Sequence, residues 1–598
     1  MAPQLSVSLV LTVLLGVGFF SPLMADVDTA QIPVVETATT TYRGKFIDVT
    51  SNQLPDVASR VAAYTGIPYA EPPIGELRFK RPVAKAVRGE FDATGGSNAC
   101  AQPLYPGFDM SVLEVSEDCL YIDVFVPERK PRSAAVMVFI HGGGFQLGAR
   151  SLPTMMPTPL AAMNDVIVVT MSYRLGVFGF LDTGDDKIPG NLGLLDQRQA
   201  LIWIRDNIAD FGGDPARVTI FGESAGSASV NYHVLSPMSA GLFSRAIMQS
   251  GAAPAPWAEM TAEVAQEMAF GLAAAMNCSA TTTDEVLTCL KERPASDITE
   301  FLVQDPAAAA TLMPRPTVDG YFLPRSPADM AAEGEFNQVD IIIGCLTEEG
   351  NLFVSPLLAG LEGSDKPVMD RTTAQDALTG HMSLIKDGVN QLVLDMTTFA
   401  YTSEDQLADP ENDYVDIVTG YIGDSYFFCP TYTMTEHLSA GGNTVYQYIM
   451  SHAPSRSMFD KNATWLGPTH GEDIPYVFGY PLMADQPDDD EMGRTKFTDD
   501  EALMSVQIMK YFSNFAKTGN PNLSSNENES EIDSTYPHWP RFSKDQPAYK
   551  NISLTFSNGS GHPRAEICYF HQNILSKLHA ESAEMIRLKA MLGETESP

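Results

Sequence analysis

Ser224 stands in Gly222-Glu223-Ser224-Ala225-Gly226, a stretch that follows the apolar run VTIF and leads into small residues. A buried strand, a tight turn and a helix start with Ser224 as N-cap would account for it. The same pattern fits a nucleophile elbow, in which a serine on a strained strand-to-helix turn presents its hydroxyl to an acyl carbon. Five residues do not decide between the two. Acyl transfer through serine also requires a base, an acid to orient that base, and donors for the developing oxyanion.

Candidates for all three follow apolar runs. After AAVMVFI (134–140) comes His141-Gly142-Gly143-Gly144-Phe145. Adjacent glycines reach backbone conformations closed to other residues. The three glycines can therefore aim consecutive N–H groups at one point, joined by the N–H of Ala225. His141 precedes the glycines and is read as holding that loop. After VDIIIGC (339–345) come Glu348 and Glu349. Either carboxylate can orient an imidazole, whereas Asp340 lies at the wrong end of the run. After TVYQYIM (444–450) come His452, at the end of the run, and His470, in the Gly/Pro-flanked stretch LGPTHGED. His470 is the preferred base, because a constrained loop can hold an imidazole over the serine.

These groups need a scaffold. The three apolar runs just named, with VIVVTMSY (166–173), VTIF (218–221) and RAIMQS (245–250), are continuously apolar and rich in β-branched residues. Strands buried on both faces look like this. Helical patterns lie between them; LLDQRQALIWIRDNIADF (194–211) sets Leu194, Leu201, Ile202, Ile204 and Ile208 mostly on one side. The alternation predicts an α/β fold with a large, mostly parallel, twisted central sheet and helices on both faces. In such sheets ligands bind beyond the carboxyl ends of the strands, where the candidates above fall. No fixed-period repeat or Gly/Ser-rich linker divides the chain. Residues 26–598 are read as one catalytic domain, with the polar stretch 522–533 as an exposed loop.

Residues 1–25 of the 598 are apolar, carry no charged side chain and are followed by Asp26. They read as a secretory signal peptide cleaved near Ala25, too short for a comfortable membrane span. Seven cysteines agree with export. Short-range pairing would join Cys100 to Cys119 and Cys278 to Cys289, leaving Cys429 and Cys568 to tie the C-terminal part; sequence order does not fix that connectivity. Cys345 reads as a buried free thiol. Asn462, Asn522, Asn528, Asn551 and Asn558 open N-x-S/T sequons. The 38 Lys and Arg against 75 Asp and Glu give a net charge of −37. Such a balance describes a solvated acidic surface, argues against nucleic acid or anionic membranes as partners, and can steer cationic ligands.

The order Ser, Glu, His is that of the α/β-hydrolases. With GIPYAEPPIGELRFKRP (66–82), SEDCLYIDVFVP (116–127), FIHGGGF (139–145), residues 190–230, QSG (249–251), GCLTEEGN (344–351) and THGEDIPYVFG (469–479), the chain resembles the type B carboxylesterases and cholinesterases over nearly its whole mature length. The resemblance implies an α/β-hydrolase fold with Ser224 as nucleophile, Glu349 as acid and His470 as base. It makes Gly143, Gly144 and Ala225 the oxyanion donors. It also implies the three disulfides above, a salt bridge between Arg78 and Glu117, and no metal or organic cofactor.

The chain departs from the cholinesterase pattern around the substrate. Residues 101–118 contain no tryptophan, only Tyr105 and Phe108, where cholinesterases place one for cation–π attraction to choline. The stretch AAAATLMPRPTVDG (307–320) has no aromatic residue; Ala310 and Leu312 fall near the acyl-pocket positions. Trp257 matches a family pocket tryptophan, and Phe353 is placed in the gorge lining. A broad carboxylesterase is the resulting expectation. The alternatives are a cholinesterase-like enzyme with an atypical choline site, and a non-catalytic binding or adhesion member of the family. The tail 573–592 has helical apolar spacing, and the resemblance implies a homodimer through it.

Overall fold

The expected apolar runs become the centre of one eleven-stranded sheet. In chain order its strands are β1 (Lys45–Val49), β2 (Ser59–Pro68), β3 (Tyr121–Pro127), β4 (Ala134–Ile140), β5 (Ile167–Met171), β6 (Gly213–Glu223), β7 (Arg245–Gln249), β8 (Asp340–Leu346), β9 (Val445–Met450), β10 (Ala548–Ile552) and β11 (Ser557–Ser560). In space they run β11-β10-β9-β8-β7-β6-β4-β5-β3-β2-β1. Six adjacent pairings, from β10 through β5, are parallel. Four at the two edges are antiparallel, so the sheet is mixed, with a parallel centre. This computed structural model describes residues 32–50, 59–104, 114–128, 133–305, 312–355, 365–383, 389–408, 412–459, 463–483, 496–524 and 537–592. The expected signal segment 1–25 and residues Tyr105, Phe108, Ala310, Asn462 and Asn528 lie outside them.

Every residue of β4 is buried. Its side chains alternate between two cores: Val136, Val138 and Ile140 enter one, and Ala135, Met137 and Phe139 the other. This alternation is the pleat of a strand covered on both faces. Helices α1 (Thr158–Asn164) and α4 (Asp499–Thr518) fill the second core through Leu160, Ile508 and Phe512. Helices α2 (Leu192–Asn207) and α3 (Ala225–Leu235) fill the first through Leu201, Ile204, Val230 and Val234. Helix α2 stops four residues before its apolar pattern does. The turn at Gly212 and Gly213, whose N–H groups donate to Ala209 and Ile208 carbonyls at 3.0 and 2.9 Å, redirects the chain into β6.

The disulfides Cys100–Cys119, Cys278–Cys289 and Cys429–Cys568 are present, and Cys345 is free and buried. Arg78 joins the first two loops. Its Nε donates to Glu117 Oε1 at 2.6 Å, and its Nη1 donates to the carbonyls of Leu290 and Lys291 at 3.1 and 3.2 Å. One sequon is closed by packing: Asn522 is buried, with Nδ2 donating to the Trp539 carbonyl and Oδ1 accepting from Trp539 N–H. Asn558 is exposed. Among the described residues no helix is long and apolar enough to cross a membrane.

Beside β5, Arg174 meets Asp196 of α2 through two bonds of 2.7 Å, from Nε and Nη2, with both side chains buried. Burial raises the Asp196 carboxyl above its ordinary value even against the pull of Arg174. Removing one partner leaves a buried charge uncompensated, at about 3–5 kcal/mol. Arg174→Met is expected to lower stability by that amount in urea unfolding, far beyond an Arg81→Met change at an exposed pair.

Candidate active site

Ser224 begins where β6 ends. Its φ of 58° and ψ of −124° are strained for a residue with a Cβ, and helix α3 starts at the next residue. Glycines on both sides permit the turn. A Cβ at Gly226 would lie 2.0 Å from the Ile140 carbonyl oxygen, and one at Gly222 would lie 2.6 Å from the carbonyl carbon of Gly226. The serine N–H donates to the Gln249 carbonyl at 2.9 Å, tying the turn to β7. Ser224 makes no side-chain N-cap bond, which sets aside the purely structural explanation of the motif.

The glycine run after β4 folds against this turn. A Cβ at Gly142 would sit 2.7 Å from the Glu223 carbonyl oxygen and 3.0 Å from Ser224 Cβ. Gly143 and Gly144 have φ of 106° and 60°. His141 holds the loop from below: its Nδ1 lies 2.9 Å from the Gly142 carbonyl, and its ring stacks on Tyr173 at 4.4 Å. Burial lowers its pKa to about 4, so the ring is neutral and donates that bond.

Of the two glutamates after β8, Glu349 reaches an imidazole. Its Oε2 lies 2.7 Å from His470 Nδ1, while its Oε1 accepts from Leu346 N–H at 2.8 Å. Glu348 faces the Gly467 side of the loop. His452 is engaged elsewhere, with Nε2 3.0 Å from Glu501, the capping-box residue of α4. The Nδ1 bond fixes the His470 tautomer and leaves Nε2 free for chemistry. Nε2 has no hydrogen-bond partner; it lies 3.2 Å from Oε1 of Glu223, the residue before Ser224. No hydrogen bond joins His470 to Ser224 in this structure; in unliganded sites such bonds are often long.

Two acidic residues not singled out from sequence complete the surroundings. Glu223 is buried, and burial raises its pKa to about 8 although His470 pulls it down. Asp473 is raised to about 6 by burial; its Oδ2 accepts from Gln249 Nε2 at 2.9 Å and from Tyr448 hydroxyl at 3.0 Å. For His470, burial opposes the charged ring, but Glu223 and then Glu349 prevail and raise its pKa to about 9. Both acids lay within quoted motifs, GESAG and THGED. What sequence lacked was any sign that they are buried together.

Aromatic rings cover the imidazole. Phe427, in a π-helix over Gly423–Phe428, lies 4.2 Å from the His470 ring, and Phe353 lies 5.4 Å from it. Trp257 packs on Phe427 at 5.7 Å and donates from Nε1 to the Tyr426 carbonyl at 2.8 Å. Phe353 thus stands beside the histidine and Trp257 behind Phe427, and both are only partly buried. Leu312 is buried in the core shared with Met268 and Leu272.

The parallel centre, the turn at Ser224 and the loops after β4, β8 and β9 define an α/β-hydrolase. The chain belongs to the carboxylesterase family, whose profile matches residues 31–571, and it is a carboxylic ester hydrolase. It is similar to the acetylcholinesterase of Bungarus fasciatus, with 36% identity over 538 residues covering 88% of this chain and 84% of that protein.

Gly226→Ala is expected to drive the serine turn away from Ile140 and lower the melting temperature by several degrees. Gly241→Ala is the control at a positive-φ glycine with open space around it, so its loss measures backbone strain alone.

Proposed function

We propose that the protein is an exported serine esterase of broad carboxylesterase specificity, acting through Ser224, His470 and Glu349. The observation that carries the reading is the buried 2.7 Å contact between Glu349 and His470 Nδ1, with Nε2 unclaimed beside the strained turn of Ser224. His470 takes the serine proton as Oγ attacks the ester carbonyl. The N–H groups of Gly143, Gly144 and Ala225 hold the oxyanion, each contributing about 3 kcal/mol. The imidazolium, favoured by Glu349 and Glu223, gives its proton to the departing alcohol. Water then cleaves the acyl-enzyme by the reverse proton path. These steps draw on the chain's own groups.

Breadth is supported by the lack of tryptophan in 101–118 and of aromatic residues in 307–320, with Trp257, Phe353 and Leu312 as lining. Export, with cleavage of 1–25 from a single domain of 26–598, is supported by the three disulfides and by the apolar leader. Asn558 is the sequon most open to a glycan. The C-terminal helix Ser576–Leu592 exposes Met585 and Leu588 and packs against the helix Gln391–Tyr401, which exposes Phe399; the exposed apolar residues support a homodimer through the C-terminal helix.

A fluorophosphonate probe is expected to label Ser224, and Ser224→Ala is expected to lose at least 10³-fold in kcat with the fold intact by circular dichroism. Turnover close to wild type in that variant overturns the assignment. Across a panel of acyl chains and alcohols, a sharp preference for choline esters would replace the broad reading.

The pH profile gives a second test. A histidine whose pKa is raised binds its proton until higher pH, so the base is available only as pH climbs through that value. Glu223→Gln removes the leading cause of the rise. The acidic limb of kcat/KM is expected to move to lower pH by a unit or more. An unmoved limb shows that Glu223 does not govern the base. Stability shifts in the same sense: the imidazolium's contribution is full below about pH 6.5 and is lost as pH rises through about 9.

A further inference from the structure

Four arginines that enter the interior of this protein face carboxylates. Arg78 meets Glu117, Arg150 meets Asp123, Arg174 meets Asp196 and Arg245 meets Asp340. With 75 acidic residues in the chain, a partner is easy to supply. Arg315 differs from these four. It is partly buried, its Nε is buried without a hydrogen-bond partner, and it forms no ion pair among the described residues. Its one hydrogen bond is long, from Nη1 to the Pro256 carbonyl at 3.5 Å. Burial lowers its pKa, and the titratable groups that act on it are the phenols of Tyr426 and Tyr232 rather than any carboxylate.

Its neighbours are those of the active site. Pro256 precedes Trp257, whose ring lies 5.7 Å from Phe427 and 6.2 Å from Phe145. Phe427 lies 4.2 Å from the His470 ring in a tilted contact, and Tyr426 packs on Phe353 at 6.4 Å. The loop bearing Arg315 is anchored to the glycine run, because Gln146 Nε2 donates to the Pro314 carbonyl at 2.7 Å. The segment that presents Pro256 begins at Gly251, packed directly behind the serine: a Cβ there would lie 2.4 Å from the Ser224 carbonyl oxygen. An acyl chain directed along this loop, away from the imidazole that faces the leaving oxygen, would meet Arg315.

We propose that Arg315 recognises an anionic acyl group, and that the esters this site favours are monoesters of short dicarboxylic acids. The inference rests on the serine-esterase reading above. A half-desolvated guanidinium without a counter-ion offers a planar fork of donors matched to a carboxylate, and such charge-assisted pairs are about twice as strong as neutral hydrogen bonds. Because the chain's overall charge repels anions, selectivity for one requires a local cation of this kind.

The test compares p-nitrophenyl hemiglutarate with p-nitrophenyl valerate, which differs by lacking the distal carboxylate. In Arg315→Met the ratio of their kcat/KM values is expected to fall at least tenfold, and in Arg315→Lys to fall less. An unchanged ratio in the Met variant overturns the proposal. If the wild-type protein hydrolyses neither ester, the esterase reading fails on its own, and ligand binding then decides the role of Arg315. Glutarate is expected to raise the melting temperature of the wild-type protein at least tenfold more potently than valerate, a comparison that needs no variant. Equal potency overturns the proposal.

Discussion

The contact on which the site depends is main chain against main chain: Gly226 lies so close to the Ile140 carbonyl that a methyl group there would overlap it. Ile140 ends β4 and pairs with Gly222 of β6, so the start of α3 must cross the end of the neighbouring strand. Gly142 closes the third side against Glu223 and Ser224. Three backbone segments therefore meet with no side chain between them. The approach forces the positive φ of Ser224, and it puts the first N–H groups of α3 next to the glycine loop. The wholly buried helix α3 holds the junction in place, since all of its residues lie within the core. Hydrophobic burial along α3 offsets the strain of the turn, which is of order 1–3 kcal/mol.

Around that junction the chain assembles an excess of acid. Glu223, Glu349 and Asp473 all act on one imidazole, and all are buried. Unit charges 4 Å apart interact by about 4 kcal/mol at an effective dielectric of 20, enough to reverse the loss that burial imposes on an imidazolium. The acids also oppose one another, which is part of why Glu223 and Asp473 hold protons to unusually high pH. The result is an environment that favours positive charge on His470.

Local sequence carried the scaffold well where a segment's burial is uniform. The run AAVMVFI became β4 residue for residue, VDIIIGC moved by one position at both ends, and TVYQYIM lost one residue at its start. The run VTIF grew into a longer β6, since Gly213 pairs with Ala134 across an irregularity that apolarity does not register. Periodicity carried α2 past its end, because the stop is set by a two-glycine turn rather than by loss of amphipathic spacing. At the site, residue spacing left Glu348 against Glu349 and His452 against His470. The structure separates them by which side chain reaches the cluster, a long-range fact that no local pattern holds. Phe427 was invisible for a different reason. It reaches His470 from a π-helix, whose wider turn carries no sequence signature of the kind that marks an α-helix or a strand.

The position of Phe427 has its own support. Arg564 donates to Asp424 at 3.1 Å and to the Thr347 carbonyl at 3.1 Å. Asp424 lies in the first turn of the π-helix that carries Phe427, and Thr347 lies two residues before Glu349. One guanidinium therefore spans the segment that covers the imidazole and the segment that orients it. The Cys429–Cys568 disulfide closes the same connection from the far side, joining the residue after the π-helix to the helix that follows Arg564. Tyr401 donates to Asp424 at 3.1 Å and meets His571 at 2.6 Å, extending the network into a second π-helix at Phe570–Leu575. A carboxylate as deeply buried as Asp424 would be a liability alone, and burial raises its pKa to about 6 even with Arg564 beside it. The C-terminal segment, remote in sequence from Ser224, Glu349 and His470, ties the segment that bears the ring above His470 to the segment that bears Glu349.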